Sequence, residues 1–266
     1  MDTLHLLVIA LTFGHFTAAV DIDADIEGNI YVVDRRGNAV VMFSPSGDSI
    51  RTVSGVGREP MQFDEPTAVV ARSANEILVA DRNNDRVQRF TRRLEYVGTI
   101  RTRDDPDERN RFGRPRDIAV TRQGDLLVVD GENRRIVRID PLGRPRGSFG
   151  DIGGGVARLV DPQQIELDDN DNMIVLDRGR IVRFDAFGTP LGAVALPENF
   201  TPHSIAAAGT TLLVSDSTSA MVIDLSTGTL VDTLGLPVAA LALRPRPGGA
   251  SWLLLSARNA SVLRRP

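Results

Sequence analysis

Residues 124–139 read GDLLVVDGENRRIVRI: a turn, an apolar strand ending in Asp130, a polar loop, and a second strand ending in Ile139. The same text returns at 28–43 (GNIYVVDRRGNAVVMF), 75–90 (NEILVADRNNDRVQRF), 171–184 (DNMIVLDRGRIVRF) and 210–223 (TTLLVSDSTSAMVI). The strand-ending aspartates Asp34, Asp81, Asp130, Asp177 and Asp216 are 47, 49, 47 and 39 residues apart. A period of that size built only from strands predicts an all-β fold, a β-propeller with one four-stranded antiparallel blade per repeat.

Two further markers keep step with these aspartates. Phe16, Phe63, Phe112 and Leu159 each precede their Asp by 18 residues; Pro66, Pro115 and Pro162 precede theirs by 15 and Pro202 by 14. Each proline delivers the chain into a first strand, where its missing N–H is tolerated. The second strand is almost wholly Ile, Leu and Val in every copy, as expected of a strand buried on both faces. Fourth strands such as YVGTI and LGAVAL are more mixed, as suits an outer position.

Five complete copies are followed by a degraded sixth, AALALRP and then ASWLLLSARNASVLRRP, which supplies three strands. A closed ring needs a fourth there, and the run Leu4 to Phe13 (LHLLVIALTF) is the one unassigned segment. Pairing it beside the last blade would remove the ring's exposed edges. The same run, followed by Thr17-Ala18-Ala19, also reads as a secretory signal cleaved after Ala19, although no positive charge precedes it. Residues 1–19 are therefore a signal peptide or a ring-closing strand, and 20–266 a six-bladed propeller. The first alternative implies a periplasmic or extracellular protein, the second a cytoplasmic one. The run is too short to span a bilayer as a helix.

The pattern PxxIAVxxxGxLxVxDxxNxRIxxF, clearest from Pro115 to Ile139 and from Pro66 to Phe90, resembles the NHL repeat of six-bladed propellers in the TolB-like superfamily. The resemblance runs from Phe16 onward. It weakens in the fifth and sixth copies, where Ser219 stands at the usual Arg position and Ala257 replaces the strand-ending Asp. It implies the fold directly. Its functional implications are broad, since such propellers include protein-binding modules, RNA-binding domains, lyases and lactonase relatives.

Composition narrows the choice. All 31 basic residues are Arg, the formal net charge is −4, and cysteine is absent. An acidic chain lacks the clustered positive potential of a nucleic-acid-binding surface, and without thiolates a disulfide framework or a cysteine zinc site is excluded. Of the three histidines, His5, His15 and His203, two lie in or beside the N-terminal run, so a zinc centre needing several histidines at the channel is not expected. The repeated aspartates sit at equivalent positions, so they are expected to hold loops rather than to catalyse. Asp21-Ile22-Asp23-Ala24-Asp25 and Asp168-Asp169-Asn170-Asp171 look like fragments of calcium loops, but they coincide with ordinary turns. Counting from Asp21, Val32 stands where an EF-hand requires its bidentate acid.

Candidates for binding remain on one rim, where loops leading into first strands meet those joining second and third strands. They are Arg35, Arg36, Arg82, Arg116, Asp117, Arg134, Gln163, Gln164, Arg178 and His203. Arginine suits that place because its planar fork binds carboxylates and phosphates bidentately. The expected function is a non-enzymatic, monomeric scaffold that needs no cofactor and recognises a protein, peptide or glycan over the rim. The alternative is a calcium-dependent lactonase-like hydrolase or a lyase acting in the axial channel, with Asp21, Asp117, Gln164 and His203 as the nearest ligand set.

Overall fold

The computed structural model describes residues 8–71, 76–151, 155, 157–246 and 251–264. Leu4 to Leu7 of the N-terminal run, and His5 with them, lie outside these residues. Six four-stranded antiparallel sheets form a propeller. Blade one holds β2 (Ala19–Ala24), β3 (Ile30–Asp34), β4 (Ala39–Phe43) and β5 (Ser49–Ser54). Blade two holds β6 (Pro66–Val70), β7 (Glu76–Asp81), β8 (Arg86–Thr91) and β9 (Tyr96–Ile100). Blade three holds β10 (Pro115–Val120), β11 (Leu126–Asp130), β12 (Arg135–Ile139) and β13 (Pro145–Phe149). Blade four holds β14 (Pro162–Leu167), β15 (Met173–Asp177), β16 (Arg180–Phe184) and β17 (Pro190–Ala195). Blade five holds β18 (Ser204–Ala208), β19 (Thr211–Ser215), β20 (Ser219–Asp224) and β21 (Leu230–Gly235).

The sixth blade is built from both ends of the described chain. β22 (Ala242–Pro245), β23 (Ser251–Leu255) and β24 (Ala260–Arg264) are completed by β1 (Val8–Phe13), which runs antiparallel to β24 from Val8 opposite Arg264 to Phe13 opposite Ala260. The apolar N-terminal run thus supplies the missing outer strand. Of its described side chains only Phe13 is buried: its ring meets Phe43 of blade one edge-on at 5.0 Å, and Phe16, just beyond the strand, reaches the same Phe43 at 6.0 Å, whereas Val8 and Ile9 are exposed.

Burial follows the order of strands within a blade. β3, β11 and β15 are buried at every position, whereas the outer β17 alternates between exposed and half-buried. Among the described residues the buried apolar side chains fall into six clusters, each astride a seam between neighbouring blades. The repeated aromatic marker fills these seams: Phe16, Phe63, Phe112 and Leu159 are all buried in them. Face-to-face burial of β-branched and leucine side chains is the main stabilising term of such a ring.

Starting the chain at Val20, as signal cleavage would, deletes β1 and leaves the N–H and C=O row of β24 unpaired. We expect such a protein to melt at least about 10 °C lower than the full chain, through loss of both Phe13 and Phe16 from the seam. It should also associate through the bared edge, and size-exclusion chromatography with thermal denaturation checks both.

Candidate functional site

The inner strand of every blade has one edge paired with its own sheet and one edge facing the axis. Backbone N–H groups on that free edge need acceptors. Side chains of the preceding blade provide them in a regular relay. Asp21 Oδ2 accepts from Val69 N at 2.9 Å, Asp117 Oδ2 from Ile165 N at 2.9 Å, and Gln164 Oε1 from Ile205 N at 2.9 Å. Ser204 Oγ accepts from Leu243 N at 3.4 Å. In blade two the equivalent position is Ala68, which has no acceptor, and Thr67 Oγ1 instead donates to Pro115 O at 2.9 Å. In blade six the equivalent place falls to Ala242, which has no acceptor. The link back to blade one is made two residues later, where Arg244 Nη2 donates to Asp21 Oδ1 at 3.2 Å.

Arg244 is the hub of this relay. It is 5% exposed; its Nη1 donates to Ile205 O at 2.6 Å and to Ser204 Oγ at 3.1 Å, and its Nε lies 3.4 Å from Glu166 Oε1. Burial alone would lower its pKa, but Glu166, Asp21, Asp117 and Asp23 together hold it above its ordinary value. The acids feel the opposite balance. Burial pushes Asp21 up to about 6 against the pull of Arg244, and it raises Asp117 well above the carboxylate range, with Asp21 adding to the rise.

This belt divides the axis into two recesses. The upper one, about 330 Å³, draws Arg35 from blade one, Arg82 from two, Arg116 from three, Gln163 and Gln164 from four, His203 from five and Leu241 from six, above a floor of Asp21 and Asp117. The lower one, about 290 Å³, shares that floor and is acidic, with Asp23, Glu166, Asp168, Asp169 and Asp171 facing Arg122 and Arg244. The axis therefore runs from a cationic mouth to an anionic base.

Seven of the ten rim residues expected from sequence converge on the upper recess: Arg35, Arg82, Arg116, Asp117, Gln163, Gln164 and His203. Arg36, Arg134 and Arg178 do not; all three are exposed outside it. Arg134 is the last residue of its loop and takes a left-handed turn (φ 57°) into β12. Arg178 follows its aspartate just as Arg35 and Arg82 do. Only Gly179 separates it from β16, however, and the tight turn holds it at φ 60°. Two of the seven do double duty, since Asp117 and Gln164 already accept backbone N–H bonds of the next blade.

The repeated aspartates hold loops, as their symmetry implies. Asp34 accepts from Thr17 N and Ala18 N at 2.6 and 2.8 Å, and Asp177 from Val160 N and Asp161 N at 2.9 and 2.6 Å. Asp81 and Asp130 each take a loop N–H together with the guanidinium of Arg86 or Arg135. The calcium-like fragments are Asx-type turns: Asp25 accepts from Glu27 N and Asn29 N, and Asp168 from Asn170 N and Asn172 N. Among the described residues no three His, Asp or Glu side chains are grouped to hold a metal. Within the set Asp21, Asp117, Gln164 and His203, the first three spend acceptor oxygens on backbone and guanidinium donors, while His203 stands exposed above them.

A family profile described as the NHL repeat matches residues 112–139, the copy in blade three. No curated protein matches the sequence. Among solved structures, virginiamycin B lyase from Staphylococcus aureus is similar with a TM-score of 0.67 at 12% identity, covering 98% of this chain and all of that one. A catalytically inactive variant of that lyase with quinupristin gives 0.67 at 13% identity, covering 98% of this chain and 99% of that one. A streptogramin B lyase gives 0.66 at 14% identity, covering 97% and 98%. At such identities the likeness is one of fold: this chain is a six-bladed β-propeller carrying an NHL repeat.

Two variants probe the belt. Arg244→Met removes the cation and leaves buried acids uncompensated, so a loss of about 3–5 kcal/mol in unfolding free energy is expected from denaturant titration. Asp21 binds its proton more tightly folded than unfolded, so its ionisation weakens the fold as pH rises from 3.8 to about 6. Relative to Asp21→Asn, wild type should lose stability across that window, by an amount on the order of 2–3 kcal/mol, in pH-dependent chemical denaturation.

Proposed function

We propose that the protein is a binding scaffold, without catalytic chemistry of its own, whose partner inserts a protein, peptide or glycan segment into the mouth of the axial recess. The observation that carries this reading is convergence: all six blades place a residue around one recess of about 330 Å³. A concave, mixed polar and apolar recess suits an inserted group rather than a flat contact. Its three arginines favour an anionic group on that segment. The floor acids Asp21 and Asp117 accept backbone and guanidinium hydrogen bonds of the inter-blade relay, which fixes their orientation beneath the recess. Among the described residues no helix is long and apolar enough to cross a membrane.

A lyase acting at the same mouth is the second reading. It is favoured by the likeness in fold to proteins named as lyases over nearly the whole chain, and by the exposed imidazole of His203 at the recess.

The two readings separate in one experiment. Short peptides and oligosaccharides are screened by ligand-observed NMR against wild type and Leu241→Trp, which fills the recess from blade six. Binding should weaken at least about tenfold in the variant, and every ligand, quinupristin included, should be recovered chemically unchanged. A converted ligand would favour the lyase; equal binding by the variant would move the site away from the mouth.

A further inference from the structure

The three arginines of the mouth are not equivalent. Arg116 is engaged, its Nη1 donating to Asp161 Oδ1 at 2.6 Å and to Pro162 O at 3.0 Å. The side chain of Arg35 makes no hydrogen bond or ion pair among the described residues, and its buried Nε has no partner. Arg82 likewise has a buried, unpartnered Nε, and its only ion pair among the described residues is a long one, 3.5 Å from Nη1 to Glu65 Oε2. Two half-buried guanidinium groups are thus set close together with donors unspent. The arrangement is costly: burial first, and then the neighbouring charge of Arg82, lower the pKa of Arg35, and Glu65 only partly opposes them. Like charges crowded where water is scarce destabilise a fold unless an anion joins them.

Glu65 carries the second half of the argument. It sits in the left-handed region at φ 51°, where its N–H donates to Asn38 Oδ1 of blade one at 2.9 Å. That bond holds a carboxylate beside the arginine pair from outside the recess; Glu65 is not among its lining residues. At 3.5 Å it is a poor partner for Arg82, and the side chain is 49% exposed.

We infer that Arg35 and Arg82 form a seat for a single oxyanion, a carboxylate or phosphate group of the ligand, and that Glu65 is the internal carboxylate which that group displaces. This rests on the mouth being the binding site, and it names the group recognised there. The seat lies across blades one and two. The opposite wall, made of Gln163, His203 and Leu241, carries no carboxylate and accommodates the neutral remainder of the ligand. Arg116, held by Asp161, shapes the wall without binding the anion.

The test is calorimetric titration of the full chain at low ionic strength with two probes, inorganic phosphate and succinate. Wild type should bind at least one of them with a millimolar dissociation constant, and the tighter of the two identifies the group as phosphate or carboxylate. Arg35→Gln and Arg82→Gln should each weaken that binding by about tenfold. Arg134→Gln and Arg178→Gln, which remove exposed charge elsewhere on the rim, should leave it unchanged. Glu65→Gln, by removing the competitor, should tighten it about two- to fivefold. A readout without ligand is also available: because Arg35 has no partner to lose, the melting temperature of Arg35→Gln should equal or exceed that of wild type.

Absence of binding by both probes, or equal binding by wild type and both arginine variants, overturns the seat. A fall in melting temperature of several degrees in Arg35→Gln overturns it as well, because it would assign Arg35 a structural role. A peptide or glycan that is lost in Leu241→Trp yet retained by Arg35→Gln and Arg82→Gln would remove the anion seat while leaving the mouth as the binding site.

Discussion

Every blade of this ring presents an unpaired backbone edge to the axis, and the rest of the structure is arranged around satisfying it. In an open sheet, such an edge would be exposed to water or would recruit another strand. Here the inner edges converge on the axis. The N–H groups of Val69, Ile165 and Ile205 instead find carboxylate or amide oxygens of the preceding blade, all at 2.9 Å. A side chain carrying an acceptor must reach across, and Asp21, Asp117, Gln164 and Ser204 do so from related places in otherwise apolar strands. The final link, Arg244 to Asp21, joins the last blade to the first with a guanidinium in place of a backbone donor.

Closure is therefore made twice, once near the axis and once at the periphery. At the periphery β1 covers the edge of β24, and Phe13 locks into the seam beside Phe43. Near the axis Arg244 gathers four acids from three blades. The concentration of negative charge in the lower recess follows, because four carboxylates share one buried cation. The mouth above is positive because its charges come from different elements, chiefly the loops that follow the second strands. The polarity along the axis is a by-product of which residues are free to face outward.

Most of the fold was legible because the repeat carries its own checks. The aspartate, the proline and the aromatic marker advance together, and each answers a separate physical need. The first caps a loop, the second admits the chain to an inner strand, and the third fills a seam. Where those markers fail, sequence reasoning fails with them. Blade six has Ala257 for the aspartate and no aromatic in register, so Arg244 could not be aligned with the inner positions of other blades, and Leu241 was missed with it. The rim residues were legible to the extent that loop length is constant. Arg35 and Arg82 open loops of four residues and reach the recess, whereas Arg178 opens a two-residue turn and does not. Arg134 closes its loop instead of opening it, in the place of Asn38 and Asp85, and like them takes a left-handed turn away from the recess.

One column of positions near the mouth lies outside both the relay and the loop caps. The inner-strand residues are bound to the relay, and the repeated aspartates are bound to their loops. The residue immediately after each aspartate owes nothing to either, and it changes around the ring: Arg35, Arg82, Gly131, Arg178 and Ser217. Gly131 shows how closely that position is tied to the mouth. A Cβ there would lie 2.6 Å from Arg114 O and 2.8 Å from Arg116 Cγ, so glycine is what allows Arg116 to cross toward Asp161. One blade thus gives up its own contribution so that the neighbouring strand can supply a fixed cation, while blades one and two keep uncommitted ones. The lining of the mouth is thus set jointly by this column, through Arg35 and Arg82, and by the residues that enter the inner strands, Arg116, Gln163, His203 and Leu241.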